Sequence, residues 1–287
     1  MNKSIVLFAY ARADLIRDSI ESILAAEGSP NWKKVLIHQL EFDQVDQVIK
    51  EYENHFDLVV RVKRQFEPAL GNINFNRILG TSICFEVFQS EIVLGIEEDS
   101  MIGYDSLAFI DQMVERFGSN RAFRGVNLGS LELKTHNNLN TYSLIRFGLH
   151  GQAGVITRKT WKKFSMDKLL EDISAEGWDS RFEFFTKSGF MVTPNASRLL
   201  DRGWDGTHAP TDSSHPYFEK QRVSWVGTDQ FVHGPYVRVD QKHSWREDAI
   251  NYRIQDSLLF LLRAYPFGPK ITRIWRTLGL PRLFINR

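Results

Sequence analysis

Short apolar runs alternate with segments of helical spacing through the first half of the chain, and this alternation restricts the fold more than any other feature. Ile5 to Ala11 is apolar and followed by Leu15, Ile16, Ile20, Ile23 and Leu24 at helical intervals. Val35-Leu-Ile37 forms a second run, succeeded by Val45, Val48, Ile49 and Tyr52 at i, i+3, i+4 and i+7. Leu58 to Val62 is a third, and Leu79, Ile83 and Val87 then mark a helix face over Asn76 to Phe88. Ile92-Val-Leu-Gly-Ile96 is a fourth, before a helix carrying Leu107, Phe109, Ile110, Met113 and Val114. Short unbroken apolar runs interleaved with period-3.6 segments predict an α/β fold with a mostly parallel sheet and helices on both faces.

The second half reads less regularly. Asn127 to Leu149 is polar and reads as irregular chain, Gly154-Val-Ile156 and Phe190-Met-Val192 as short strands, and Trp161 to Leu170 and Trp178 to Lys187 as helices. Asp201 to Tyr217, dense in Gly, Asp, Ser, Thr and Pro, reads as a loop. The expected organisation is one domain over residues 1–245 and a basic helical tail over 246–287.

Composition excludes several classes. Apolar residues make up 43% of the chain and the net charge is only +1, which rules out disorder as the main state. The six cations after Asp256 leave 30 basic and 35 acidic residues in the remainder, and a mildly acidic body with a basic tail argues against general nucleic-acid binding, which wants a basic face on the fold itself. The lone cysteine, Cys84, can form no internal disulfide and no cysteine-based zinc site, and fits a reducing compartment. The run Ile5–Ala11 is short for a signal sequence, and no stretch approaches the ~18 apolar residues of a membrane span. A cytoplasmic protein is expected. In the tail, Ile271, Ile274, Trp275 and Leu278 share a helical face flanked by Lys270, Arg273 and Arg276. Such a helix suits peripheral contact with the inner face of a membrane, or packing on its own domain or a second subunit.

The chemistry-bearing residues fall in three places. Glu97-Glu98-Asp99 follow the fourth apolar run directly, at the strand end where ligands of open α/β sheets bind. Adjacent carboxylates repel unless a cation or hydrogen-bond donors offset them. A divalent ion, Mn²⁺ or Mg²⁺, could supply that offset together with a diphosphate, because hard cations take one or two carboxylates plus substrate oxygens. The plainer alternative is a solvated acidic loop. Asp179, before the aromatic helix, is placed either to act as general base or to cap the helix. His208, in Gly203-Trp-Asp-Gly-Thr207-His208, is a candidate metal ligand, although a lone loop histidine is more often simply exposed. HExxH, GxSxG, P-loop and CxxC patterns are absent.

Taken in this order, the motifs resemble those of GT-A-fold glycosyltransferases, in particular the N-acetylglucosaminyltransferase I-like group and bacterial family-2-type relatives. The matching stretches are Ala9-Tyr-Ala-Arg12, the strand ending in Glu97-Glu98-Asp99, Trp178-Asp179 and Gly206-Thr207-His208. The resemblance implies a metal-dependent, inverting transfer of a sugar from a nucleotide-diphosphate sugar, UDP favoured, to a hydroxyl of a glycan or lipid-linked acceptor. It would place the metal on Asp99, the ribose on Glu98, the donor sugar on Glu97 and the diphosphate or nucleotide on Arg12. Asn76 and Thr207 would be further donor contacts and Asp179 the base. Two positions depart from the pattern: Ser180 stands where the group has its second acid, and Gln39-Leu40-Glu41 where it has Gln-Asp. Surface polysaccharide assembly is the setting the resemblance suggests. The rival readings are a sugar nucleotidyltransferase, disfavoured by the glycine-free stretch Phe8–Asp14, and a non-catalytic carbohydrate-binding protein.

Overall fold

The computed structural model describes residues 1–66, 70–130, 134–135, 137–145, 153–171, 173–174, 189–204, 214, 216–229 and 235–239. All of them belong to a compact unit spanning Met1–Val239. The expected tail from 246 onward and the expected helix at 178–187 lie outside the described residues.

The first half follows the expected alternation: β1 (Lys3–Ala9), α1 (Ala13–Ala25), β2 (Lys33–Gln39), α2 (Asp43–Tyr52), β3 (Leu58–Val62), α3 (Leu70–Ser82, continued by a wider π-type turn Ile83–Val87) and β4 (Ile92–Glu97). Next come β5 (Ser100–Ile102), α4 (Ser106–Phe117), β6 (Phe123–Asn127), β7 (Thr141–Ile145), β8 (Ala153–Thr157), α5 (Arg158–Trp161), α6 (Met166–Leu170), β9 (Phe190–Pro194), β10 (Leu199–Asp201), α7 (Pro216–Ser224) and β11 (Val237–Arg238). Nine strands form one sheet in the order β11-β7-β9-β6-β8-β4-β1-β2-β3, and β5 pairs with β10 in a separate antiparallel ribbon. β4, β1, β2 and β3 run parallel. β8 enters antiparallel between β4 and β6, and β7 is antiparallel to β9.

Period-2 alternation buries both faces of the central strands. Ile5, Leu7, Leu36, Leu94 and Ile96 face one core with Ile16, Ile20 and Ile23 of α1, Val45, Val48 and Ile49 of α2 and Phe109 and Ile110 of α4. Val6, Val35, Ile37 and Val93 face the other, with Ile78 of α3, Phe85, Trp161 and Leu169. A side chain such as Ile16, Ile20 or Ile23, each fully buried, contributes about 1.5–3 kcal/mol by leaving water. α3 approaches the sheet at Gly80, where a Cβ would lie 2.6 Å from Val6 Cγ2 and 2.8 Å from Ile37 Cγ1.

Three expectations need correction. The stretch read as irregular contains the end of β6 at Asn127 and all of β7. The polar side chains of Thr141 and Ser143 in β7 are buried and bonded to a neighbouring strand end: Ser143 donates to Asn195 Oδ1 at 2.6 Å, and Asn195 Nδ2 donates to Thr141 Oγ1 at 2.9 Å. Trp161–Leu170 is not one helix, because the chain turns at Lys162–Ser165 between α5 and α6. The presumed loop from Asp201 to Tyr217 is bounded by β10, which ends at Asp201, and by α7, which starts at Pro216.

Candidate functional site

From β1 the chain moves outward through β2 and β3, then returns to place β4 on the other flank of β1. The carboxyl ends of β1 and β4 therefore diverge into different loops at a topological switch point, where open α/β sheets bind ligands. The loop after β1 is Tyr10-Ala-Arg12, and β4 runs out into Glu97, Glu98 and Asp99.

Glu98 holds the first loop in place. Its carboxylate is buried and accepts the Tyr10 N–H at 2.5 Å, the Ala11 N–H at 2.9 Å and the Arg12 Nε–H at 3.0 Å. Arg12 reaches further and donates from Nη2 to Asp99 Oδ2 at 2.6 Å. Glu97 is ion-paired to Arg77 of α3. The repulsion within the acidic triplet is thus offset by two guanidinium groups and two backbone N–H groups. Burial acts to lower the Arg12 pKa, but Asp99 and Glu98 outweigh it and hold the guanidinium more firmly protonated than usual.

The β5–β10 ribbon closes one side. Asp201 pairs with Ser100, and Arg202 N–H donates to the Asp99 carbonyl at 2.9 Å. Gly203 N–H donates to Asp201 Oδ1 at 2.8 Å. A Cβ at Gly203 would collide with Asp99 Oδ2 and come within 3.1 Å of Asp201 Oδ1, so only glycine lets this backbone lie against the carboxylates. Arg202 is ion-paired to Asp18 of α1, which ties the ribbon to the body.

Beyond the end of β2 lies a polar relay. Glu41 accepts from Tyr10 O–H at 3.0 Å and from Gln39 Nε2 at 2.7 Å. Gln39 must therefore present Oε1 to its other side, where it accepts from Asn76 Nδ2 at 3.2 Å. That orientation leaves Asn76 Oδ1 as a buried acceptor with no partner. Burial, and then the Glu41 hydrogen bond, raises the Tyr10 pKa. Phe42 packs edge-on against Tyr10 with ring centroids 5.5 Å apart.

The chain thus brings together Arg12, Glu97, Glu98 and Asp99, with Asn76 at the far end of the relay. Asp179, Thr207 and His208 lie outside the described residues. The ribose contact expected of Glu98 meets a carboxylate already committed to three donors of the first loop. Sequence reasoning passed over Arg77 and Arg202, and named Asp201 and Gly203 only as parts of a loop, without placing them against Asp99. Arg77 directly follows Asn76, and Arg202 lies between Asp201 and Gly203, so proximity to residues already named was the available signal.

For a divalent ion the test is Asp99 Oδ1, which is buried and has no hydrogen-bond partner among the described residues. A buried carboxylate oxygen without a partner costs roughly 1–3 kcal/mol, which a cation would relieve. Asp99 alone fits an ion that completes its shell with substrate oxygens. Among the described residues, no group of three or more His, Cys, Asp or Glu gathers into a closed metal site.

No family model matches the chain, and no curated protein does. Among solved structures, TarS residues 1–349 from S. aureus is 11% identical, with a TM-score of 0.50 over 92% of this chain and 81% of that one. The same TarS segment in complex with UDP-GlcNAc is 12% identical, with a TM-score of 0.47 over 69% and 57% of the two chains. The mannosyltransferase PcManGT from Pyrobaculum calidifontis, in complex with GDP-Man and Mn²⁺, is 13% identical, with a TM-score of 0.40 over 56% and 46%. The first likeness is one of fold: the chain shares with that structure an α/β architecture, a mostly parallel central sheet flanked by helices.

Proposed function

We propose that the chain is a glycosyltransferase that moves a sugar from a nucleoside-diphosphate sugar to a hydroxyl of a glycan or lipid-linked acceptor, with inversion at the anomeric carbon. The observation that carries this reading is the β1/β4 crevice, where Arg12 is bonded to Asp99 Oδ2, against the backbone at Gly203, and Asp99 Oδ1 has no hydrogen-bond partner among the described residues. A cation and a carboxylate oxygen lacking a partner suit a diphosphate bound with a divalent ion. The GT-A-like fold and the resemblance of the motifs to the N-acetylglucosaminyltransferase I-like group point the same way.

In this reading Arg12 faces the diphosphate and Glu98 keeps the loop that carries it in register. Asp99, with His208, would hold Mn²⁺ or Mg²⁺; the chemistry such an ion supplies there is neutralisation of the departing diphosphate. Asn76 Oδ1 suits an N–H donor of a nucleotide base, which uracil and guanine offer on a ring nitrogen and cytosine and adenine on an amino group, and the preference for a uridine nucleotide rests on the resemblance of the motifs. Glu97, held by Arg77, and Thr207 would line the sugar side. Asp179 takes the proton of the acceptor hydroxyl as its oxygen attacks the anomeric carbon. The new C–O bond forms on the face opposite the breaking bond to the diphosphate oxygen.

The test is a panel of nucleotide sugars with Mn²⁺ or with EDTA, reading released nucleoside diphosphate, with a thermal-shift measurement for each nucleotide alongside. Turnover of one donor that needs the metal and is lost in Asp99→Ala is the expected result. If no nucleotide raises the melting temperature even with Mn²⁺, the donor-site reading is wrong.

A further inference from the structure

The segment Arg158–Leu170 sorts its side chains into two sets. Trp161 and Leu169 are buried in the second core, with Trp161 stacked on Phe85 at 5.5 Å and Phe164 packed on Trp161 at 5.6 Å. These anchors fix the backbone and leave Lys159, Lys162, Lys163, Met166 and Leu170 pointing outward and exposed. Met166 and Leu170 are among the few exposed large apolar residues, 39% and 44% accessible, and sit one turn apart on α6. Arg121, also exposed, precedes β6 beside this segment, since Lys159 Nζ donates to the carbonyl of Asn120 at 3.2 Å.

The cations here lack carboxylate partners. Among the described residues, Arg121, Lys159, Lys162 and Lys163 make no ion pair within 4.0 Å, whereas Arg158 pairs with Glu91. The Lys163 pKa is lowered, first by burial and then by Arg124 and Lys159, with no acid opposing them. Among the described residues, the exposed acids on or next to the segment are Asp167 and Glu171, two against the four outward cations.

We propose that this face docks the protein peripherally on an anionic lipid surface, with Arg121, Lys159, Lys162 and Lys163 against headgroup phosphates and Met166 and Leu170 inserted at the interface. Cations flanking protruding apolar side chains are what an anionic bilayer surface rewards. A nucleic acid would use the cations but prefers aromatic platforms for its bases, and no aromatic side chain stands among the outward set. The face lies at the Thr157 end of β8, which pairs with Ile92 at the start of β4. The crevice is at the other end of β4, about 20 Å away at ~3.3 Å per residue. Docking and donor binding are therefore separable, and this inference does not rest on the transferase reading.

The full chain is to be floated with vesicles of phosphatidylcholine, with and without added phosphatidylglycerol. Binding to the anionic vesicles alone, suppressed by high salt, is expected. Lys162→Glu/Lys163→Glu should weaken it at least about tenfold, at ~1 kcal/mol per basic residue. Met166→Ser/Leu170→Ser should weaken it while keeping the salt dependence. Both variants should melt as the parent does and retain its thermal shift with nucleotide. Absence of vesicle binding, binding unchanged by both double substitutions, or displacement by single-stranded DNA at concentrations that leave lipid binding to other proteins intact would each overturn the proposal.

Discussion

Glu98→Gln isolates the clamp on the loop after β1. Glutamine keeps the size of the side chain and one acceptor oxygen. That oxygen can still take the Tyr10 and Ala11 N–H groups, which sit 2.5 and 2.9 Å from the native carboxylate. The amide nitrogen must then face Arg12 Nε–H, which the native oxygen meets at 3.0 Å, so a donor confronts a donor. A hydrogen bond to a charged group is worth about 1.5–3 kcal/mol, and the two that survive lose their charge assistance. Breaking a fully buried pair costs about 3–5 kcal/mol. Glu98 is 7% exposed at its side chain but Arg12 is 28% exposed and keeps Asp99, so the cost is discounted for solvent. We expect a loss of about 2–3 kcal/mol, measured by equilibrium urea unfolding, and a melting temperature lower by roughly 5–10 °C. The nucleotide thermal shift should shrink too, although Glu98 itself faces the loop. A double-mutant cycle with Arg12→Met should show coupling between the two positions. A change below about 0.5 kcal/mol with an undiminished nucleotide shift would refute the clamp.

Four further outcomes are expected. Asp105→Asn should cost about 3–5 kcal/mol in urea unfolding, because Asp105 Oδ2 accepts from fully buried Arg198 at 2.8 Å and from Tyr236 O–H at 2.5 Å, and the guanidinium would lose its counter-charge. Gly80→Ala should lose about 1–2 kcal/mol, since overpacking against Val6 and Ile37 exceeds the gain in helix propensity; a more stable protein would contradict the packing. His38 is buried with no hydrogen bond at either ring nitrogen, and burial lowers its pKa more than Asp46, 3.6 Å away, raises it. The unfolded chain therefore binds the proton more readily, so stability should fall as pH drops below about 6.5 until the lower folded pKa is passed, and His38→Leu should flatten that limb of the urea-midpoint profile. Burial pushes the Cys84 thiol up to about 12, so iodoacetamide should label it only at the rate of unfolding; rapid labelling of the native protein would show the site is open.

The first half of the fold was legible because its strands are buried on both faces and read as unbroken apolar runs, as in Ile5–Leu7, Val35–Ile37 and Ile92–Leu94. β6 and β7 escaped the same test because they bury Arg124, Asn127, Thr141 and Ser143. The partners of such groups, for example Asn195 Oδ1 for the Ser143 hydroxyl at 2.6 Å, are set by tertiary placement. α3 likewise buries Asn72, Asn74 and Asn76, bonded to the Gln65–Phe66 loop, Ile173 and Gln39 respectively, so its buried surface is partly polar and its apolar period incomplete.

The candidate site divides along the same line. The acidic triplet announced itself by sitting at a strand end, and electrostatics required that something offset it. A divalent ion was the natural candidate from sequence. Which of the chain's own cations would converge there was not legible, because Arg12 and Arg77 arrive from elements separated by most of two β-α units. In the folded chain these two arginines, with the Tyr10 and Ala11 N–H groups, meet Glu97, Glu98 and one oxygen of Asp99. The compensation left for a ligand is therefore narrow: not three carboxylates but Asp99 Oδ1, next to a guanidinium already suited to phosphate. On the proposed donor-site reading, diphosphate and cation would have to arrive together, since one carboxylate oxygen holds a hard ion weakly without substrate oxygens.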